Sequence, residues 1–291
     1  MNRRTLIASL AASSLTTASA SDAADGFVDT PDGQEIAVRD TGTGTPIVFL
    51  HGWSLAGAIW QPQVDFLAAR GHRVVVYDRR GHGRSTKPQS GYDFDTLADD
   101  LAAVLARTGV TNATLVGHSM AGGEIARYFA RHGGKHIART VFVAPTTPYA
   151  LKTADNPEGT DRRVFDQLAA ALAADSKAYL AAGAPGLLGK DAAPETVKWA
   201  LDMAYQADPR ALEKCLRSFS ETDFRSDLRA LQVPTLVVYG SGDLPSMASN
   251  ARRTGAAIAG SRVEVYEGAP HGLFITDRER FDDDLLRFIR S

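Results

Sequence analysis

Short, mostly apolar runs alternate with helix-like segments along the first half of the chain. The runs at 47–50, 74–77 and 140–144 are of the type found in strands that are buried on both faces. The segments between them place apolar residues at three- and four-residue steps, as in Leu97, Leu101, Val104 and Leu105. Strands that alternate with helices require right-handed crossovers, so the pattern predicts a mostly parallel sheet with helices on both faces.

Other segments extend this pattern at both ends. Asp32-Gly33 separates two strand-like runs at 26–29 and 35–39, which predicts an opening hairpin. Apolar stripes predict further helices over 59–70, 247–258 and 277–289. Two more strand-like runs lie at 234–239 and 262–266.

A helical region interrupts the alternation after Pro145. Residues 146–230 are alanine-rich and helical in pattern, with expected breaks at 156–159, 184–186 and 208–209. We therefore predict a core built from residues 21–145 and 231–291, with residues 146–230 inserted between them as a helical cap.

The stretch 114–128 has the pattern of a strand, a sharp turn and a helix, with Ser119 at the apex. Gly117 precedes the serine by two positions and Ala121 follows it by two, and both must be small because a tight turn crowds them. This is the arrangement of a nucleophile elbow, which lifts a serine hydroxyl clear of the sheet edge. A serine that merely caps a helix is the simpler alternative.

Two further polar residues follow later strands. Asp243 comes shortly after the run at 234–239, and His271 shortly after the run at 262–266. Ligand sites in open α/β sheets lie beyond the carboxyl ends of the strands, where these side chains are expected to meet Ser119. A serine hydroxyl needs a histidine to take its proton, and that histidine needs a carboxylate to hold its tautomer. The chain order Ser119, Asp243, His271 therefore predicts a catalytic triad, although each residue alone would be ordinary in a loop.

Two backbone N–H groups are expected to form an oxyanion hole beside this triad. Met120 begins the helix after the nucleophile, and Trp53 follows Gly52, which lets the backbone approach closely. The polar run 78–85 is expected to shape a turn and its ion pairs. His118 is expected to be a packed neighbour of the nucleophile rather than a second base.

Composition and charge exclude several other classes of protein. The 291 residues carry a net charge of -2 and no basic run, so nucleic acid is not an expected partner. Metal-ligand spacings and phosphate-binding glycine patterns are absent from the sequence, so we expect neither a metal nor a cofactor. The single cysteine, Cys215, excludes an intramolecular disulfide and is expected to be a buried thiol.

The first twenty residues differ from the rest. Arg3 and Arg4 precede an apolar segment of small residues, and Ala18-Ser19-Ala20 offers a cleavage site. Residues 2–7 also resemble a twin-arginine export signal. The apolar run is too short to span a bilayer. We therefore predict that residues 1–20 are a signal peptide, that the mature chain has no membrane span, and that it is exported to the periplasm. A disordered start on a cytoplasmic enzyme is the alternative.

With these pieces placed, the chain resembles the α/β-hydrolase superfamily and, within it, the cofactor-free bacterial haloperoxidase (perhydrolase) and aryl esterase group. The resemblance spans nearly all of the chain after residue 20. It rests on Phe-Leu-His-Gly-Trp at 49–53, Tyr-Asp-Arg-Arg-Gly-His-Gly-Arg-Ser at 77–85, Gly-His-Ser at 117–119 with 123–128, Ser-Glu-Thr-Asp-Phe at 220–224, and 266–273. It implies the α/β-hydrolase fold, triad roles for Ser119, Asp243 and His271, and oxyanion donors at Trp53 and Met120.

Two departures from the family pattern bear on function. Ser54 stands where halogenating or perhydrolytic members often have proline after the tryptophan, which favours ester hydrolysis over peracid formation. Ala121 replaces the second glycine of the elbow, and its methyl is expected to fit only if the helix stands slightly off, which would shift the Met120 N–H.

The sequence therefore predicts a serine hydrolase that cleaves small, largely apolar carboxylic esters through an acyl-enzyme on Ser119. Its partner is then a small-molecule ester, with Trp199, Phe219 and Leu187 of the cap as candidates to line an acyl pocket. One alternative is a perhydrolase that forms peracids with hydrogen peroxide. Another, from a different class, is an exported ligand-binding protein on a hydrolase scaffold, which would have no need of a triad.

Overall fold

A computed structural model describes residues 24–291, and one eight-stranded sheet forms their centre. The strands are β1 Ala24–Asp29, β2 Glu35–Thr41, β3 Pro46–Leu50, β4 Arg73–Tyr77, β5 Ala113–His118, β6 Ile137–Val143, β7 Thr235–Gly240 and β8 Arg262–Tyr266. Their order across the sheet is β1-β2-β4-β3-β5-β6-β7-β8. The predicted hairpin is confirmed by the antiparallel pairing of β1 with β2, and β3 to β8 all run parallel. The predicted signal peptide lies outside the described residues.

Eleven α-helices accompany this sheet in the described part of the chain. They are α1 Gln61–Ala68, α2 Phe94–Thr108, α3 Ala121–His132, α4 Arg162–Ala174, α5 Ser176–Leu188, α6 Pro194–Ala204, α7 Pro209–Glu221, α8 Arg225–Leu228, α9 Pro245–Ala257, α10 Leu273–Thr276 and α11 Arg278–Arg290.

Helix α2 shows how the local sequence determines where a helix begins and ends. The Asp93 side chain accepts the Thr96 N–H at its start, and Gly109 ends it in the left-handed conformation at φ 61°.

The central strands are covered on both faces, as their continuous apolar character predicts. Side chains of β3 alternate between two hydrophobic clusters: Val48 packs with α2 and α3 on one face, and Phe49 packs with Trp60 and α11 on the other. The predicted α/β fold with a mostly parallel sheet is thereby confirmed. Helices α4 to α8 lie in the chain between β6 and β7, and we refer to residues 146–230 as the cap.

Some predicted boundaries are wrong. Helix α5 continues through Pro185 to Leu188, although a break was expected at 184–186. The proline removes one intrahelical hydrogen bond close to the end of the helix, and α5 packs between α4 and α6, so it remains helical until Gly189.

The segment expected to form one helix over 59–70 is a 3₁₀ turn, Gly57–Trp60, followed by α1. Pro62 near the start of α1 fits there because the first turn of a helix needs no backbone N–H from it. None of the helices in residues 24–291 has both the length and the apolar character required to cross a bilayer.

Candidate active site

Ser119 lies in a strained turn between β5 and α3. Its φ is 58°, a value uncommon for any residue with a side chain, and only 6% of its surface is exposed. Its N–H donates to the Val143 carbonyl at the end of β6 (2.8 Å), and its own carbonyl accepts the Gly122 N–H (3.1 Å). This strand, turn and helix form the geometry of a nucleophile elbow.

The two small residues around Ser119 depend on each other. A Cβ at Gly117 would lie 2.7 Å from Ile125 Cδ1 and 3.2 Å from the Ala121 Cβ, so position 117 has no room for a side chain. The Ala121 methyl is fully buried against this glycine. The alanine that replaces the usual glycine therefore fits because position 117 leaves space for it.

Asp243 and His271 form a direct contact at the ends of β7 and β8. His271 Nδ1 lies 2.6 Å from Asp243 Oδ2, and the aspartate side chain is only 3% exposed. The second carboxylate oxygen, Oδ1, accepts the Leu244 N–H at 2.6 Å. A carboxylate that accepts the proton on Nδ1 leaves Nε2 with a free lone pair. The histidine is thus held in the tautomer that a general base requires.

His118, which precedes Ser119 in the chain, contacts the loop that carries His271. The centroids of the two imidazole rings are 4.7 Å apart, and His118 Nε2 lies 3.2 Å from the His271 carbonyl oxygen. Burial lowers the pKa of His118 well below its usual value, so this ring is neutral. His118 is therefore a packed neighbour of Ser119, as expected.

None of the hydrogen bonds among residues 24–291 joins Ser119 Oγ to His271 Nε2. Catalytic hydrogen bonds of this kind are often long without substrate and shorten when substrate binds. The structure thus brings Asp243 into contact with His271, and His271 into contact with His118, the residue before Ser119.

The backbone N–H groups of Trp53 and Met120 lie in neighbouring loops at this edge of the sheet. Strands β3 and β5 are neighbours, with Leu50 opposite Gly117, so the loops that follow them begin side by side. Within the described chain neither the Trp53 N–H nor the Met120 N–H donates to another protein group. Free N–H groups in a mostly buried site are available to an oxyanion.

The cap contacts the site through aromatic side chains. The Trp53 indole N–H donates to the Leu212 carbonyl in α7 at 2.9 Å, and the Trp53 ring packs edge-on against Phe219 and Tyr179. The carbonyl of Leu187, also in the cap, accepts the Gly272 N–H at 2.7 Å, next to His271.

Two of the three cap residues predicted to line an acyl pocket therefore lie next to site loops. The third, Trp199, packs against the hydrophobic cluster on the α11 side of the sheet. The sequence did not indicate Tyr179, because its spacing on α5 is that of an ordinary packed residue.

The turn over 78–85 is held by buried ion pairs, which confirms its expected structural role. Arg80 pairs with Asp100 at 2.6 Å, and Arg79 pairs with Glu124. Burial raises the pKa of Asp100 to about 6, although Arg80 acts in the opposite direction.

The described residues suggest neither a metal site nor a reactive thiol. In residues 24–291 no three His, Cys, Asp or Glu side chains converge in a way that would hold a metal ion. Burial raises the pKa of the Cys215 thiol to about 12, so this side chain stays protonated.

Comparisons with known proteins identify the family of this chain. The family model described as the α/β hydrolase fold matches residues 45–278. A non-heme haloperoxidase from Rhodococcus erythropolis is 39% identical, over 91% of this chain and 99% of its own. A bifunctional esterase/perhydrolase from Acinetobacter calcoaceticus is 36% identical, over 91% of this chain and 100% of its own.

Solved structures of related proteins share this fold. A bromoperoxidase from Bacillus anthracis superimposes with a TM-score of 0.87 at 34% identity, covering 92% of this chain and 100% of that one. An esterase from Exiguobacterium antarcticum superimposes with a TM-score of 0.88 at 29% identity, covering 91% and 99%. The chain belongs to the α/β-hydrolase fold family.

Proposed function

We propose that the protein is a serine hydrolase that cleaves small, largely apolar carboxylic esters, with Ser119, Asp243 and His271 as its catalytic triad. The observation that carries the proposal is the 2.6 Å contact between His271 Nδ1 and the buried Asp243 carboxylate, at the same edge of the parallel sheet as Ser119. The relatives named esterase and esterase/perhydrolase support the same chemistry.

Each residue has a defined task in this reaction. His271 Nε2 takes the proton of Ser119 Oγ as the oxygen attacks the ester carbonyl, and Asp243 stabilises the resulting imidazolium. The Trp53 and Met120 N–H groups donate to the oxyanion. The alcohol leaves with the proton from His271, and water then attacks the acyl-enzyme by the same route.

The surroundings of the site support an apolar substrate. The aromatic rings of Trp53, Phe219 and Tyr179 meet where the cap covers the oxyanion loop. Aromatic side chains offer a large apolar surface to a bound acyl group. We propose that the cap, residues 146–230, supplies this surface while residues 21–145 and 231–291 supply the catalytic groups.

The direct test is the variant Ser119→Ala. Turnover of a short aryl ester should fall about 10⁴- to 10⁶-fold because the nucleophile is gone, while the protein stays folded. Ser246→Ala on α9 is the matched serine control and should keep wild-type turnover. A serine-directed phosphonate should label the wild type and the control but not Ser119→Ala.

Two results would contradict the proposal. Full activity in Ser119→Ala would exclude this nucleophile. A wild-type protein that neither turned over short aryl esters nor reacted with the phosphonate would instead fit a ligand-binding protein.

A second candidate function is perhydrolysis, in which hydrogen peroxide replaces water at the acyl-enzyme and a peracid leaves. The names of the haloperoxidase and esterase/perhydrolase relatives favour it. The conformation of Ser54 favours hydrolysis, because its φ of 65° is one that proline, fixed near −65°, does not adopt. We expect ester hydrolysis to exceed peracid formation when both are measured at equal enzyme concentration. Predominant peracid formation would favour the second function.

We also propose export to the periplasm through residues 1–20. The paired arginines, the apolar segment and the Ala18-Ser19-Ala20 site support it. Replacing Arg3 and Arg4 together by lysine should leave the protein in the cytoplasm of a fractionated cell. The exported wild type should begin at Ser21 by mass spectrometry, and an intact start on periplasmic protein would contradict cleavage there.

A further inference from the structure

We propose that His51 positions the Trp53 N–H for oxyanion binding by holding the Gly52 carbonyl, and that Arg79 and Glu124 fix His51 in this role. His51 is then a positioning residue of the site. The inference rests on the proposed function, since the Trp53 donor belongs to it.

The first step is the contact between His51 and the peptide group that follows it. The His51 ring is fully buried, and its Nδ1 lies 2.8 Å from the Gly52 carbonyl oxygen. The C=O and N–H of a trans peptide point in opposite directions. A Gly52 carbonyl that is held against the imidazole therefore directs the Trp53 N–H away from that ring.

A tight turn holds the same carbonyl from a second direction. The Leu55 N–H donates to it at 3.3 Å, which closes a four-residue turn, and Ser54 in the third position has φ 65°. A positive φ at that position is what a type II turn requires. The Gly52 carbonyl thus has two donors that fix its orientation.

The second step is the tautomer of His51. The Arg79 backbone N–H donates to His51 Nε2 at 2.9 Å, so this nitrogen must carry a lone pair. Burial, with the charge of Arg79 as the second cause, lowers the pKa of His51 well below its usual value. The ring is therefore neutral, and its one proton lies on Nδ1. Arg79 Nη1 also lies near Nδ1, at 3.3 Å, but a guanidinium nitrogen accepts no hydrogen bond, so the acceptor for this proton is the Gly52 carbonyl.

The third step is the buried network behind His51. Arg79 Nη2 donates to the His51 carbonyl at 2.6 Å, and Arg79 Nε donates to Glu124 Oε1 at 2.5 Å. Tyr77 donates its hydroxyl proton to the other Glu124 oxygen at 3.0 Å. Arg79 and Glu124 side chains are each only 1% exposed.

This network connects the two loops that carry the oxyanion donors. Glu124 lies in the first turn of α3, and Met120 is the N-cap residue of that helix, while His51 lies two residues before Trp53. Arg79 contacts both. The ion pair thus fixes the helix that carries one donor relative to the loop that carries the other.

A pair of variants separates positioning from plain packing. Asn at position 51 can place an amide N–H near the position of Nδ1, and Gln can place an amide oxygen near the position of Nε2. His51→Asn therefore keeps the Gly52 contact, and His51→Gln keeps the Arg79 contact. We expect kcat to fall about 10- to 100-fold in His51→Gln, with KM within about twofold, and to stay within about fivefold of wild type in His51→Asn.

A role in packing alone predicts a different result. Both variants would then lose thermal stability and activity together, and equal losses of kcat, or a loss confined to KM, would overturn the inference. Nitrogen NMR of the wild-type protein gives a test that needs no variant. The His51 proton should reside on Nδ1, and the Trp53 amide proton should move downfield when the phosphonate adduct forms on Ser119.

The outcomes also separate this inference from the proposed function. A His51 proton on Nε2, or an unmoved Trp53 amide in the phosphonate adduct, would overturn the positioning role and leave an active hydrolase. A wild type that neither hydrolyses esters nor forms the adduct would overturn both.

Discussion

The site depends on a close contact between Gly52 and His118. A Cβ at Gly52 would lie 2.4 Å from His118 Nδ1. The other side of the His118 ring packs against His271 and Phe274, with ring centroids 4.7 and 4.9 Å apart. The imidazole of His118 therefore lies between the loop of Gly52 and the loop of His271.

Gly52→Ala should reduce turnover for this reason. The added methyl has to displace His118 toward His271, and a misplacement of about 1 Å in a catalytic group typically costs about 10²-fold in rate. Gly26→Ala is the control, because nothing lies within 4 Å of its Cβ position. The kcat for a short aryl ester and the rate of phosphonate labelling measure the effect. Wild-type kcat in a folded Gly52→Ala protein would show that His118 has room to move.

Among single residues, those directly after predicted strands can be identified from the sequence. Ser119, Asp243 and His271 follow buried runs, and the topology of a parallel sheet brings such residues to one edge. The sequence does not indicate the contacts of His51. Its partner Arg79 lies 28 residues away on the next strand end, and only the folded chain shows that their polar atoms meet.

Secondary-structure elements bring Asp243 and His271 together through their connecting loops. The Gly242 N–H donates to the Ala269 carbonyl at 3.0 Å. A Cβ at Gly240, the last residue of β7, would lie 2.0 Å from that carbonyl oxygen. The ends of β7 and β8 thus touch backbone to backbone, which requires glycine at position 240.

Gly240→Ala should separate these two loops. We expect a fall in kcat of about 10- to 100-fold, because the Asp243–His271 contact lengthens, and a loss of about 1–3 kcal/mol in the free energy of unfolding from overpacking. Gly183→Ala in α5 has open space at its Cβ position, so it should leave kcat near wild type and should not lower the free energy of unfolding, which alanine in a helix interior raises by up to about 1 kcal/mol. Urea unfolding and kcat, measured on the same preparations, decide the outcome. A variant that loses stability but keeps kcat would show that the added methyl does not disturb the Asp243–His271 contact.

The strands were easier to predict than the helix ends. A strand buried on both faces leaves a continuous apolar run, and β3, β4 and β7 carry that signal. Helix ends in the cap depend on packing with neighbours as well as on local residues. Pro185 shows this, because α5 continues past a residue that usually ends a helix.

In the whole molecule, buried neutral histidines connect stability to pH. His51, His82 and His118 are all at most 1% exposed, and burial lowers the pKa of each, to about 3 for His82. An unfolded histidine titrates near 6.5, so the unfolded chain binds more protons between the two values. The free energy of unfolding therefore falls as pH drops below about 6.5.

His82→Asn should make this dependence shallower. From the two pKa values, His82 alone accounts for about 2–3 kcal/mol of the stability lost between pH 7 and pH 4.5. Asp100 acts in the opposite sense, because its pKa is raised to about 6, but it is present in both proteins and cancels in the comparison. Urea unfolding at the two pH values gives the difference, with the exposed His136→Asn as control. Parallel pH profiles for wild type and His82→Asn would contradict the assignment.

Trp53 has its backbone in the loop after β3, where we propose an oxyanion donor, and its indole on the cap, where it donates to the Leu212 carbonyl. The cap and the catalytic core are consequently not interchangeable parts in evolution or in engineering. A chimera that takes its cap from a relative needs an α7 that offers this indole the same two contacts, a carbonyl at position 212 and an aromatic ring at position 219. Otherwise Trp53 has to be exchanged together with the cap. A search for new substrate preferences should therefore vary the segment 51–55 together with the cap. Variant libraries that change the cap and this segment will contain more active members than libraries that change the cap alone.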